Sequence, residues 1–159
     1  MILALNDTGR ARFFDKKAKA LLKKWHSRVF PAPPLGALAA STYEEACQYA
    51  YAISGKKISK QCYNLFPKIK ALQAINDPRL IEYHPEIAFM QLNQGLVISE
   101  SKKSTEGIQK RIELIEKHIP DFRAMIPLER RKPYAIDDPV DSAVLALVAQ
   151  SGAYKSFFE

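Results

Sequence analysis

The segment Leu80-Ile-Glu-Tyr-His-Pro-Glu86 decides the fold class, because it contains the best strand candidate in the chain. Leu80 to Tyr83 have the composition of a short β-strand, and Pro85 ends it. In a strand, Glu82 and His84 would share one face, and a carboxylate at the end of such a rigid element can bind a hard divalent cation. The alternative is a strand that ends in a proline-fixed turn with solvated charges.

Helical patterns lie on both sides of this segment, with apolar residues at helical spacing. The expected helices are Phe13 to Phe30, one opened by a capping box at Thr42, one opened by Ser59, Glu86 to Asn93, one capped by Ser104 or Thr105, and one from Pro139. Pro67 should kink or split the helix that follows Ser59. Leu3 to Leu5 could add a second, very short strand. Since one strand cannot satisfy its own backbone groups, the pattern predicts part of an α/β fold or a helical domain with a minor sheet.

Composition predicts an ordered protein of one domain, because the 159 residues are 47% hydrophobic and 26% charged. The longest apolar stretches are too short to span a bilayer, and the first ten residues lack the apolar core of a signal peptide. We therefore expect a cytoplasmic protein without membrane contact. Cys47 and Cys62 have no metal-ligand spacing, and we expect two buried thiols.

Positive charge is concentrated near the N-terminus of a chain whose net charge is +7. The residues are Arg10, Arg12, Lys16, Lys17, Lys19, Lys23, Lys24 and Arg28, against Asp7 and Asp15. Such a stripe suits the phosphate backbone of nucleic acid. The alternative is the solvated face of an ordinary helix.

Three carboxylates lie within five residues in Asp137-Asp-Pro-Val-Asp141. They could clamp a metal ion at the start of a helix. Capping explains them equally, with Asp138 as N-cap, Pro139 at the first helical position and Asp141 near the positive end of the helix dipole. The two interpretations are compatible, because a capped helix can still present Asp141 to a metal.

Two lysines precede a helix in Ser101-Lys-Lys-Ser104. Lys102 and Lys103 could hold a phosphate there. The alternative is a polar loop that ends in a helix cap.

Six segments together resemble the domain of unknown function 429 family, a group predicted to be nucleases with an RNase H-like fold. They are Phe30-Pro-Ala-Pro-Pro34, Tyr43-Glu-Glu-Ala46, Ile58-Ser-Lys-Gln61 with Leu65-Phe-Pro-Lys-Ile69, Glu82-Tyr-His-Pro-Glu86, Ser101-Lys-Lys-Ser104 with Glu106-Gly107, and Asp137-Asp138 with Asp141-Ser-Ala143. The resemblance extends over nearly the whole chain. It implies an α/β fold in one domain, residues 1–159: the helix-rich C-terminal portion of an RNase H-like fold, with few strands.

The resemblance also implies phosphodiester hydrolysis with two Mg²⁺ or Mn²⁺ ions. Glu82 would be the acid on a later strand, and Asp141, supported by Asp138, the acid on the C-terminal helix. Glu82 and Asp141 would bind metal. The implied substrate contacts are Lys102, Lys103 and His84.

The first metal-binding carboxylate of the family has no counterpart here, because relatives carry it on strands that precede the position matching Met1. The resemblance thus implies a chain truncated at its N-terminus or an inactive enzyme. Two hypotheses follow: a metal-dependent nuclease or its remnant, and a non-catalytic protein that binds nucleic acid or another protein. Open sheet edges could also pair two copies in a homo-oligomer.

Overall fold

A computed structural model describes residues 5–75, 77–126, 135 and 137–154. In these ranges all regular backbone is helical, and no β-strand occurs. The expected α/β class, the helix-rich portion of an RNase H-like fold with few strands, is therefore wrong. None of the described helices is long and apolar enough to cross a bilayer.

The failed strand has a physical explanation. Leu80 to Tyr83 belong to no helix, and the following His84 is extended, with φ −104° and ψ 125°. An extended segment becomes a strand only when a second segment accepts and donates its backbone hydrogen bonds. No partner strand exists among the described residues, and Leu3 and Ala4 lie outside them. Pairing through open sheet edges therefore has no basis in this part of the chain.

The chain packs as two compact units, Met1–Glu82 and Tyr83–Glu159. The first unit holds α1 (Phe13–Leu22), 3₁₀ helices Lys23–Arg28 and Leu35–Ala39, α2 (Tyr43–Ser54), α3 (Lys60–Asn64) and α4 (Phe66–Gln73). The second holds α5 (Pro85–Leu92), α6 (Thr105–Glu116), α7 (Phe122–Met125) and α8 (Asp137–Ser151).

Local capping signals are confirmed. Thr42 accepts a hydrogen bond from the Glu45 amide, and the Glu45 carboxylate accepts one from the Thr42 amide, which completes the capping box of α2. Ser59 and Ser104 cap α3 and α6 in the same way through their hydroxyls. Gly55 ends α2 with a left-handed φ of 69°.

Helix bounds depart from the predictions most clearly in two places. α1 ends at Leu22 rather than Phe30, because Lys23 takes a positive φ of 49° and the chain continues as a 3₁₀ helix. α8 begins at Asp137, two residues before Pro139. The split at Pro67 is confirmed, since α3 ends at Asn64 and α4 starts at Phe66.

Apolar residues from several helices form a core cluster in the first unit. One cluster joins the second 3₁₀ helix to α2, α3 and α4, and its buried members are Ala37, Leu38, Ala46, Cys62, Phe66 and Ile69. Both thiols are buried as expected, and burial raises the pKa of Cys62 to about 11.

A buried ion pair lies in the apolar core of the second unit. Arg111 of α6 is 1% exposed and donates to Glu86 of α5 at 2.7 Å and to the Gly107 carbonyl at 2.9 Å. Gly107 also lets the loop before α6 approach, because a Cβ there would overlap the Ser101 carbonyl oxygen. The Arg111 guanidinium lies 5.4 Å from the centroid of the Phe89 ring, and the fully buried apolar residues of the same unit are Ile87, Phe89, Ile112, Ile115, Val140, Val144 and Val148.

Removing one partner of this pair should be costly. Glu86→Leu leaves the Arg111 charge buried and uncompensated, so we expect the free energy of unfolding to fall by about 3–5 kcal/mol in urea denaturation. Glu86→Leu combined with Arg111→Met should recover most of that loss, because no charge then remains in the core. A double variant no more stable than the single one would contradict this account.

Candidate functional site

One lysine joins two of the predicted acids. The Nζ atom of Lys102 lies 2.6 Å from Asp137 Oδ2 and 2.8 Å from Asp141 Oδ2. Lys102 is held in the loop before α6, which Ser104 caps, and both aspartates belong to the first turns of α8. The structure therefore brings Lys102 and Asp141 together as an ion pair.

Asp141 has the least favourable surroundings for a charged carboxylate in this cluster. Its side chain is 16% exposed, and its Oδ1 is buried without a hydrogen-bond partner among the described residues. Burial raises the pKa of Asp141, the nearby charges of Asp137 and Glu86 add to the rise, and Lys102 opposes it. Burial also acts on Asp137, but the hydrogen bond and charge of Lys102 outweigh it and lower the pKa of that carboxyl.

Two other predicted residues serve local backbone. The exposed Asp138 is the second residue of α8 rather than its N-cap, and its carboxylate accepts a hydrogen bond from the Ala135 amide at 2.8 Å. His84 is the N-cap of α5, where its Nδ1 accepts from the Glu86 amide at 3.2 Å. Lys103 is exposed, and its charge contributes slightly to the lowered pKa of Asp137.

Glu82 belongs to a separate ion cluster in the first unit. Arg12 donates to Glu82 Oε2 at 2.9 Å and to Oε1 at 2.8 Å, and it also binds Asp15. Burial would lower the pKa of Arg12, but the hydrogen bonds to the two carboxylates raise it. Glu82 and Asp141 therefore each have a cationic partner from their own unit. No pattern in the sequence indicated either partner.

Metal binding can be tested against these groups. Across the described residues, no three or more His, Cys, Asp or Glu side chains form a group that could hold a metal ion. Asp137 and Asp141 supply carboxylate oxygens of the kind that Mg²⁺ binds, and one of these oxygens is buried without a partner. Because Lys102 lies between the two aspartates, they fit a divalent cation only after this lysine has withdrawn.

The excess of positive over negative charge comes from one segment of the chain. Residues 10–28 contain eight of the 24 basic residues and one of the 17 acidic residues, so the rest of the chain has 16 of each. The one acid, Asp15, is buried and paired with Arg12. The charged side chains of residues 10–28 that reach solvent are thus all positive, and we call the surface of this segment the basic face.

Helix geometry separates this surface from the core. On α1, Asp15, Ala18 and Leu22 are buried at helical spacing, whereas Lys16 and the adjoining Lys23 are exposed. The exposed cations are Arg10, Lys16, Lys23 and Lys24, and Lys17, Lys19 and Arg28 are half-buried.

Aromatic rings lie among these cations. Phe13 is 73% exposed, with the Lys17 Nζ 6.0 Å from its ring centroid. The half-buried Trp25 has the Lys24 Nζ 4.4 Å from its ring centroid. Trp25 was predicted to belong to the apolar stripe of the N-terminal helix, and the i, i+4 spacing of Phe13 and Lys17 was a usable signal for the other ring.

Comparison with known proteins identifies the family. Residues 1–159 match the family model described as protein of unknown function (DUF429), and the chain belongs to this family. No curated protein and no solved structure matches the chain.

The two aspartates that share Lys102 should respond oppositely to neutralisation. Asp137→Asn should lower the free energy of unfolding at neutral pH by about 1 kcal/mol, because the lowered pKa shows that the charged form is favoured in the folded state. Asp141→Asn should leave it unchanged or raise it by up to about 1 kcal/mol, because ionised Asp141 is disfavoured on folding.

Urea denaturation over a pH series checks both signs. The pKa of Asp141 is raised in the folded state, so its penalty is complete above that folded pKa, decreases as pH falls from there towards the ordinary Asp value, and is absent below that value. The pKa of Asp137 is lowered, so its benefit holds above the ordinary Asp value and is lost as pH falls through the lower folded value. The effect of Asp141→Asn should therefore fade at a higher pH than that of Asp137→Asn. Equal losses in both variants at neutral pH would refute this assignment.

Proposed function

We propose that this member of the DUF429 family binds nucleic acid through its basic face. The observation that carries the proposal is the excess of basic over acidic residues at positions 10–28, whose single acid is buried against Arg12. A merely solvated helix commonly alternates charges of both signs and stabilises itself by i, i+4 pairs. The charged side chains of the basic face that reach solvent are of one sign only, which favours a polyanionic partner.

Counterion release supplies the driving force for such binding. Each phosphate neutralised by a lysine or arginine releases condensed counterions, so affinity falls steeply as salt rises. The basic face has four exposed cations, Arg10, Lys16, Lys23 and Lys24. Four contacts with a single strand correspond to a slope of about −3 in a plot of log affinity against log salt.

Charge removal on the basic face should weaken binding and flatten this slope. We expect Lys16→Gln/Lys23→Gln/Lys24→Gln to reduce the affinity for oligonucleotides of about 20 nucleotides and to make the slope shallower by about 2. Fluorescence anisotropy of labelled single-stranded and double-stranded oligonucleotides over a salt series measures both.

The matched control removes the same charge elsewhere in the first unit. Lys57→Gln/Lys68→Gln/Lys70→Gln alters three exposed lysines outside residues 10–28. This variant should retain nearly the affinity and salt slope of the parent protein. Equal losses in both triple variants would show non-specific attraction, and absence of binding to either kind of oligonucleotide at low salt would disprove the proposal.

A second candidate function is metal-dependent phosphodiester hydrolysis at Asp137 and Asp141. The observation that favours it is the buried, unpartnered Oδ1 of Asp141, whose raised pKa is typical of functional carboxylates. Mg²⁺ or Mn²⁺ bound to these carboxylates would supply Lewis-acid chemistry. For the metal to bind, Lys102 would first have to move away from the two aspartates.

Cleavage of end-labelled oligonucleotides with Mg²⁺ or Mn²⁺ tests this candidate. Asp141→Asn should reduce the cleavage rate by at least about 100-fold, because a neutral amide is a poor ligand for these ions. Asp121→Asn makes the same chemical change at an exposed residue and should cleave like the parent protein. Cleavage that survives Asp141→Asn would eliminate this site, and cleavage by neither protein would eliminate the candidate function.

A further inference from the structure

We infer that the basic face selects single-stranded over double-stranded nucleic acid by stacking bases on its exposed aromatic rings. The inference rests on the proposed function and adds the class of partner. Its evidence is the placement of Phe13, Trp25 and Phe30 beside or within the positive segment.

Two of these rings are largely exposed to solvent. Phe13 is 73% exposed on α1, and Phe30, just after the 3₁₀ helix, is 57% exposed. An exposed phenylalanine forgoes the favourable free energy of burying its ring. An apolar partner surface could cover these rings, but the cations between them along the chain disfavour it, because burying charge is costly.

Charge and ring alternate along the basic face. Lys16 and Lys17 follow Phe13 by one helical turn, which places ring and ammonium groups on neighbouring positions of α1. Lys24 and Arg28 lie near the Trp25 ring, at 4.4 Å and 5.8 Å from its centroid. A single strand likewise alternates phosphates with planar bases, and proteins that bind it combine cations with stacking aromatic rings.

Base accessibility differs between the two forms of nucleic acid. In a duplex the bases are stacked on one another and paired, so protruding rings such as Phe13 meet only the backbone and groove edges. In a single strand each base can offer a π-face, and stacking on one ring contributes about tenfold or more in affinity. The cations alone would attract both forms. Any preference for the single strand must therefore come from the rings.

Trp25 provides a direct readout, because it is the only tryptophan of the chain. A base stacked on its indole ring should quench its fluorescence, and all of the tryptophan signal comes from the proposed surface. Phosphate contact alone should leave this signal nearly unchanged. Titration with an oligothymidine single strand of about 20 nucleotides, and with a duplex of the same length, separates the two modes of binding.

Substitution of the most exposed ring completes the test. Phe13→Ala should weaken single-strand binding about tenfold and leave duplex binding and the salt slope unchanged. Tyr51→Ala removes a ring of similar exposure, 60%, from α2 and should bind like the parent protein. Circular dichroism should show the same helix content in both variants, since both rings are exposed.

The outcomes separate this inference from the function on which it rests. Tighter single-strand binding, tryptophan quenching and a loss specific to Phe13→Ala would support it. Equal affinity for both forms, unquenched Trp25 fluorescence and no effect of Phe13→Ala would overturn it, while the salt-dependent binding of both forms would leave the proposed function intact. Absence of binding to both forms would overturn the proposed function and the inference together.

Discussion

The cost of removing charge from water shapes both units of this protein. Arg12 and Arg111 are 8% and 1% exposed, and each binds a carboxylate that is nearly as deeply buried. The Arg12–Glu82 pair joins residues 70 positions apart, so it ties the end of the first unit to its beginning. The Arg111–Glu86 pair joins α5 to α6 in the second unit. A buried arginine restricts where its partner can lie, because displacement of either group leaves a charge in an apolar medium.

The same pairing determines what the surface presents. Asp15 is the only acidic residue of positions 10–28, and it turns inward to Arg12. Elsewhere the basic and acidic residues are equal in number, so the net charge of +7 is a property of residues 10–28. A polyanion would therefore be attracted to one defined region, and the protein could bind in one orientation rather than at random.

The extent to which the sequence predicted this structure depends on the range of each interaction. The caps at Thr42 and Ser104 were predictable because donor and acceptor lie within three residues of each other. The prediction of a strand at Leu80 to Tyr83 was wrong, because strand formation depends on a distant partner that no local pattern reveals. Asp141 was predicted to bind metal, which stays a prediction, and its lysine partner, 39 positions away, was assigned to phosphate instead. The family resemblance was confirmed, whereas the fold class that it implied was not.

Cys47 and Cys62 are both buried, and both belong to the first unit. A thiol reagent can react with them only when that unit opens, because a buried sulfur is out of the reagent's reach. The second unit contains no cysteine. The rate of thiol modification under native conditions therefore measures the opening of the first unit alone, including the unit's response to a ligand on its basic face, and it does so without any label or engineered residue.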